Sequence, residues 1–405
     1  MGCLLLLLVL PVLAGAQQDP LRAVMERVSR LTAKDIPALR QKSVNGDPQA
    51  QFMLGMAYAM GAGVKANAAE AFKWVSGAGE SGYMLAENEL GPMYVSGEGV
   101  AQDEKQAFEW FKKAAEQGYA DAQYNLGTFY AFGHGTERDF ETAAHWFLNA
   151  AEQGNPSAAD ALGKMSLFGD GVPTDAVAAA RWFRVAAEAG LPQGECDLAH
   201  LYLRGQGVTQ DYTSAVQWLT KAAQKGNAEA QASLGNMLCD GTGVPADCAQ
   251  GIRWLTRAAE QGDAAGQDNL GRRYLMGRGL PKNEKAAFAW FLKAAEQGLP
   301  DAQATIAAMY RDGAGVGKDL GSAINWYTKA AEQNNANALI NLAIMCANGQ
   351  GTPRDLALAY QWLLIAQDRG GEVDPQMRAQ LKNSLTADQR KAAQEKAAEW
   401  LSRHQ

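Results

Sequence analysis

Histidine and cysteine, two residue types that often carry catalysis or bind metal, number only four and five in this sequence. No two histidines have the spacing that places their imidazoles on one helix face to hold a metal. No serine begins an S-x-x-K motif and no G-x-S-x-G motif is present, so a serine nucleophile beside a base is not indicated. We therefore predict no catalytic residue, no cofactor and no metal site. The four histidines are His134, His145, His200 and His404.

Four cysteines follow the N-terminal region, and two of them are close enough along the chain to pair. Cys239 and Cys248 flank a glycine-containing turn, which a disulfide between them would close in an oxidising compartment. Cys196 and Cys346 are too far apart to be bridged in the repeat architecture described below. The alternative is that these cysteines are small buried apolar side chains.

The overall charge limits the kinds of partner. Thirty-seven basic and 44 acidic residues give the 405-residue chain a formal net charge of −7. That balance argues against a nucleic-acid backbone or an anionic membrane surface as the main partner. The apolar fraction of 47% is too high for a disordered chain. We predict a folded protein that binds no nucleic acid.

Residues 1–16 have the features of a signal peptide. An apolar run from Cys3 to Leu13 is followed by Ala14-Gly15-Ala16, which matches the small-residue pattern of a cleavage site. The run is shorter than the roughly 20 residues that a membrane-spanning helix needs. We predict export, a mature chain that begins near Gln17, and no transmembrane segment. The alternative is a cytoplasmic protein with a misassigned start.

A repeat with a fixed period of 36 residues runs through most of the chain. Nine of the ten tryptophans, from Trp74 to Trp362, lie 36 residues apart, and an Asp or Asn stands seven residues before each. A constant period of about 20–50 residues is typical of a solenoid. Nine units cover residues 48–371 without an insertion. Their bounds are 48–83, 84–119, 120–155, 156–191, 192–227, 228–263, 264–299, 300–335 and 336–371.

Each unit has the pattern of two helices joined by a tight turn. In its second half, apolar residues recur at helical spacing on one stripe, and the Asp or Asn before them suits an N-cap. Gly-x-Gly supplies the turn between the helices, and a further glycine, such as Gly118, ends the second helix. The first helix has Gly or Ala at its centre, as at Gly127, which predicts close approach of a neighbouring helix. We predict that the repeated tryptophans are core residues, because no unit can bury its apolar stripe alone.

The second repeat, residues 84–119, shows the complete motif: Ala86, Leu90-Gly91, Tyr94, Gly97-x-Gly99-Val100, Asp103, Ala107, Trp110, Ala114-Ala115 and Gly118. This motif resembles that of the Sel1-like repeat family, which is related to the tetratricopeptide repeats. The resemblance implies an all-α fold, a right-handed α-solenoid of nine 36-residue helix-turn-helix repeats. Residues 17–47 and 372–405 have helical patterns of their own, and we predict that they cap the two ends.

The relation to tetratricopeptide repeats implies that the first helices line a concave groove. Their variable positions are mainly apolar or aromatic in repeats one to four and mainly charged in repeats five to eight. Such a groove suits a peptide or an extended protein segment anchored by the aromatic residues. The alternative is that Phe132 and Phe168 fill gaps between neighbouring helices. The candidate contacts are Phe52, Met56, Met60, Tyr124, Phe132, Lys164, Phe168, His200, Arg204, Arg272 and Arg311.

These observations predict a non-catalytic protein–protein interaction scaffold or adaptor, located in a bacterial periplasm or secreted. The resemblance leaves open whether such a scaffold regulates a periplasmic sensor kinase or binds a host protein. A different alternative is a cell-envelope enzyme or peptidoglycan binder, since β-lactamase-like activity has been proposed for members of the family. That alternative needs a serine or carboxylate constellation that interrupts the repeat, and the sequence shows none. A structural spacer, a third alternative, would have uniformly polar groove positions.

Overall fold

The computed structural model describes residues 20–404, and over that range the chain forms α-helices and no strand. The prediction of an all-α fold is confirmed. The predicted signal peptide, residues 1–16, lies outside the described residues. None of the helices in the described part has the length and apolar character needed to cross a bilayer. The described residues divide into two compact units, of which the first ends at Ala189 and the second begins at Gly190.

The first unit contains an N-terminal pair of helices and the helical hairpins of repeats one to four. In each hairpin a first helix and a second helix, both of 13 residues, pack against each other. The helices are α1 (Pro20–Ser29), α2 (Ile36–Val44), α3 (Pro48–Met60), α4 (Ala68–Glu80), α5 (Met84–Ser96), α6 (Glu104–Glu116), α7 (Ala120–Phe132), α8 (Phe140–Glu152), α9 (Pro156–Phe168) and α10 (Ala176–Glu188).

The second unit contains the hairpins of repeats five to nine and a C-terminal pair of helices that packs on the last repeat. The helices are α11 (Pro192–Arg204), α12 (Tyr212–Gln224), α13 (Ala228–Asp240), α14 (Cys248–Glu260), α15 (Ala264–Met276), α16 (Glu284–Glu296), α17 (Pro300–Asp312), α18 (Leu320–Glu332), α19 (Ala336–Asn348), α20 (Leu356–Asp368), α21 (Pro375–Asn383) and α22 (Ala387–Arg403).

The helix ends follow the predicted capping chemistry. Asp103 precedes α6, and its carboxylate accepts hydrogen bonds from the backbone N–H groups of Lys105 and Gln106 at 3.0 and 3.1 Å. Gly97 ends α5 with a φ of 76°, a left-handed conformation that glycine adopts without a Cβ clash. Asn334 replaces the closing glycine in repeat eight and has a φ of 64°, which asparagine tolerates better than most residues. This departure from the repeat motif therefore leaves the helix end intact.

The glycine at the centre of a first helix is required by the second helix of the same repeat. A Cβ at Gly163 would lie 2.6 Å from Cδ1 of Phe183, whose ring is buried. A Cβ at Gly127 would likewise lie 2.8 Å from the ring of Phe147. The predicted close approach of a neighbouring helix is therefore present, and that helix belongs to the same hairpin.

The tryptophans are less buried than the sequence predicts. Among the described tryptophans only Trp110 is buried, and the others lie half-buried at the edge of the core. In five repeats a Lys or Arg three residues later covers the ring, as with the Nζ of Lys113, 3.8 Å from the Trp110 ring centroid. The residue after each of the nine repeated tryptophans is buried in the core. These core residues are Val75, Phe111, Phe147, Phe183, Leu219, Leu255, Phe291, Tyr327 and Leu363.

A spine of buried glutamines connects one repeat to the next. The Nε2 of Gln123 donates to the backbone oxygen of Ala115 in the preceding repeat at 3.3 Å, and its Oε1 accepts from Gln153 at 2.7 Å. Each such glutamine therefore joins its own helix to the second helix of the preceding repeat and to the residue that ends the second helix of its own repeat, and burial keeps water from replacing these hydrogen bonds. In repeat two the position is Glu87, which accepts from Gln117. Further glutamines with the same bonds are Gln231, Gln267 and Gln303.

Candidate partner-binding surface

Three positions on each first helix share one line, which we call the surface row of a repeat. They lie three residues before, one after and five after the central small residue, so they are spaced i, i+4 and i+8 on one helix face. In repeat four the row is Asp160, Lys164 and Phe168, which runs from a buried carboxylate to a ring that is 70% exposed. The last residue of the row is exposed in all nine repeats. The last position of each row is therefore accessible to a partner.

The row ends of the first unit are large and apolar in three of its four repeats. Phe132 and Phe168 are each 70% exposed, and Met60 is 49% exposed. The fourth row end is Ser96, and Val95 beside it is also exposed. The sequence prediction of an apolar surface in repeats one to four therefore corresponds to these row ends.

Three of the predicted contacts lie deeper in the first unit. Phe52 is fully buried, with its ring centroid 5.5 Å from that of Tyr83, and Met56 is also buried. Phe52 and Met56 therefore support the fold and offer no surface to a partner. Tyr124 is half-buried, and its ring lies 5.7 Å from that of Phe147. The sequence prediction included every position of the row, whereas in repeat one the first two positions are buried and only the last is exposed.

In two rows the first and middle positions form an ion pair. The Nζ of Lys164 lies 2.8 Å from a carboxylate oxygen of Asp160 in the first unit. In the second unit the Nε of Arg272 lies 2.7 Å from a carboxylate oxygen of Asp268. Burial raises the pKa of Asp268, and the Arg272 guanidinium opposes that shift. These cations are therefore paired with carboxylates on their own helix.

The remaining basic contacts of the second unit differ in accessibility. Arg204 is exposed at the end of its row. Arg311 donates to Asp312, to Asn341 and to the hydroxyl of Tyr327, so it links the first helices of repeats eight and nine. Arg204 is therefore available to a partner, whereas Arg311 holds neighbouring repeats together.

His200 lies in a cluster of metal-binding residue types. Its ring is close to the thiol of Cys196 and the carboxylate of Glu229. Histidine spacing alone does not indicate this cluster, because the pair on one helix consists of one cysteine and one histidine. The spacing of Cys196 and His200, four residues apart, was the available signal.

The structure joins Cys239 and Cys248 in a disulfide. Cys239 lies in the last turn of α13 and Cys248 is the first residue of α14. The bond therefore closes the turn between the two helices of repeat six. Cys196 and Cys346 are both buried.

Comparison with known proteins identifies the repeat. A family model described as Sel1 repeat matches residues 48–83, 85–119, 120–155, 156–191, 192–227, 228–263, 264–299, 300–335 and 336–370. The solved structure of a Sel1 repeat protein from Oxalobacter formigenes is 32% identical, with 82% of this chain and 96% of that chain covered and a TM-score of 0.56. A protective antigen present in uropathogenic Escherichia coli strains, described as displaying an SLR fold, is 30% identical, with coverage of 91% and 94% and a TM-score of 0.42. A search of curated proteins found no match. Because the matched segments make up most of the chain, the chain belongs to the Sel1 repeat family.

Proposed function

We propose that this protein is a non-catalytic scaffold that binds a peptide or a segment of another protein at the exposed row ends of the first unit. Sel1 repeats mediate protein interactions. A repeat array presents equivalent positions at regular intervals, which suits an extended partner segment. The apolar row ends of the first unit would anchor that segment.

The exposure of Phe132 and Phe168 carries the proposal. The two rings occupy equivalent positions in successive repeats, at the ends of α7 and α9. Fully burying a phenylalanine contributes about 1.5–3 kcal/mol, so covering the exposed part of each ring would contribute about 1–2 kcal/mol to binding. The Phe132 ring centroid also lies 6.0 Å from that of His134, so the aromatic surface continues into the turn. Rings that filled gaps between helices would be buried, and the exposure therefore supports the binding role.

We also propose that the protein is exported. The disulfide between Cys239 and Cys248 supports an oxidising compartment, such as a bacterial periplasm or the extracellular space. Regulation of a sensor kinase and binding of a host protein are both compatible with an exported scaffold.

Site-specific photo-crosslinking tests the binding proposal. A photoreactive phenylalanine analogue replaces Phe132 or Phe168, and the same analogue at Leu148 or Val185, which are exposed on second helices, is the control. We expect the first two positions to crosslink the same protein from the envelope fraction and the control positions to crosslink it weakly. Equal crosslinking at all four positions, or none at 132 and 168, would contradict the proposal.

A further inference from the structure

We propose that Cys196, His200 and Glu229 form a Zn²⁺-binding site in the second unit. One potential ligand atom from each residue lies within 4.8 Å of the other two. Ligand atoms at about 2.0–2.3 Å from a tetrahedral zinc ion are roughly 3.3–3.8 Å apart. The Nδ1 of His200 and the Oε1 of Glu229, which are 3.5 Å apart, have that separation in the structure. Small side-chain rotations therefore suffice to bring all three residues onto one ion.

The first helices of two successive repeats supply the ligands. Cys196 and His200 are four residues apart on α11, so their side chains share one helix face. Glu229 lies in the first turn of α13. A bound ion would therefore link repeats five and six, and in a solenoid such contacts between neighbours determine stability.

The second nitrogen of His200 has a partner that suits metal binding. Its Nε2 lies 3.2 Å from the Oγ of Ser233, which is one turn after Glu229 on α13. A protonated Nε2 donates to that hydroxyl, which leaves the lone pair of Nδ1 directed to the ion. Outer hydrogen bonds of this kind fix the tautomer and orientation of metal-binding histidines. On the carboxylate side, the Nε2 of Gln193 lies 3.4 Å from the Oε2 of Glu229.

The ligand types favour zinc over the common hard cations. Thiolate, imidazole and carboxylate all bind Zn²⁺, whereas Ca²⁺ and Mg²⁺ are held by oxygen ligands. Cys196 is fully buried, and the side chains of His200 and Glu229 are 21% and 50% exposed. The site is therefore open to solvent on the Glu229 side, where water can fill the fourth position. Cys196 binds the ion as a thiolate, so its thiol proton is released to solvent when the ion binds.

Cobalt substitution tests the site in the full chain. Co²⁺ added without a reductant should bind one equivalent, with the visible bands of a tetrahedral ion and a near-ultraviolet thiolate-to-cobalt charge-transfer band. Cys239 and Cys248 are bonded to each other and supply no thiolate. We expect Cys196→Ala and His200→Ala to abolish the charge-transfer band. Cys346→Ala, which changes another buried thiol of the second unit, should retain it.

Thermal melting with Zn²⁺ gives a second readout. At a free Zn²⁺ concentration of about 100 times Kd, the melting temperature should rise by roughly 5–10 °C. Glu229→Gln changes a half-exposed ligand, so it should fold normally and lose most of that rise even if a Cys196 variant folds poorly. An equal rise in wild type and Glu229→Gln, a charge-transfer band that depends on Cys346, or no bound Co²⁺ would overturn the proposal.

Discussion

Replacing Glu87 by glutamine is expected to stabilise the first unit at neutral pH. Glu87 occupies the glutamine position of the buried spine and is only 4% exposed. Burial raises the pKa of its carboxyl above the ordinary value of 4.5, and Lys113 and Gln117 oppose the shift only in part. The protonated carboxyl of Glu87 therefore contributes fully to the free energy of unfolding below about pH 4.5, and this contribution is lost as the pH rises through the raised pKa. Glutamine removes this loss because it carries no charge.

Glutamine at position 87 should also gain a hydrogen bond. In the other spine repeats the side-chain amide, as in Gln123, donates to the backbone oxygen eight residues earlier at 3.0–3.3 Å. An ionised Glu87 has no proton to donate to the equivalent oxygen of Gly79. One net hydrogen bond contributes about 0.5–1.5 kcal/mol. The substitution also removes the cost of burying a charge. Together, the two effects should raise the free energy of unfolding of Glu87→Gln by about 1–2 kcal/mol at pH 7.

Urea denaturation of both proteins at pH 4 and pH 7 measures the effect. We expect the gain at pH 7 to exceed the gain at pH 4, where the carboxyl of Glu87 is protonated to a greater extent. Glu116→Gln, which changes an exposed carboxylate at the end of α6, is the control and should have little effect at either pH. Equal gains at both pH values, or destabilisation at pH 7, would refute the reasoning.

Two further changes test the packing within each unit. Gly163→Ala places a methyl group 2.6 Å from the buried ring of Phe183 and should lower the free energy of unfolding in urea by about 1–3 kcal/mol. Gly317→Ala, with nothing within 4 Å of the new Cβ, is its control, and equal losses would show that the close contact is unimportant. Joint replacement of Cys239 and Cys248 by Ala should lower that free energy by about 2–3 kcal/mol, because the cross-link closes a short loop. Unchanged thermal melting of the double variant would show that the bond adds no stability.

The hairpins could be predicted from sequence because local chemistry determines them. Asp103 and its equivalents cap the second helices through hydrogen bonds to nearby backbone N–H groups. Gly97 and its equivalents end the first helices in a conformation that favours glycine. The constant period then indicates that successive hairpins within a unit pack on one another in the same way.

Residue depth could not be predicted from the period alone. Trp146 and Phe147 belong to two sets of apolar residues that recur at the same interval, so periodicity does not say which set fills the core. The answer depends on how the helices of a hairpin cross. Phe52 and Phe168 likewise belong to equivalent rows, but one lies at the buried start and the other at the exposed end.

The cluster at His200 shows a second limit of sequence reasoning. Glu229 reaches His200 from the next repeat, 29 residues away along the chain, so only the packing of α11 and α13 brings their side chains together. Cys196 is four residues before His200, which is the spacing of a ligand pair on one helix, but histidine spacing alone does not indicate it.

The central claim is that Phe132 and Phe168 bind a partner and contribute little to the stability of the fold. Its most direct test is the affinity of the Phe132→Ala, Phe168→Ala double variant for the protein captured by crosslinking, with thermal melting of the same samples. We predict binding about 30-fold weaker or more, from about 1–2 kcal/mol for each ring. The melting temperature should change by no more than about 2 °C, because both side chains are exposed. Unchanged affinity with a melting temperature several degrees lower would contradict the account.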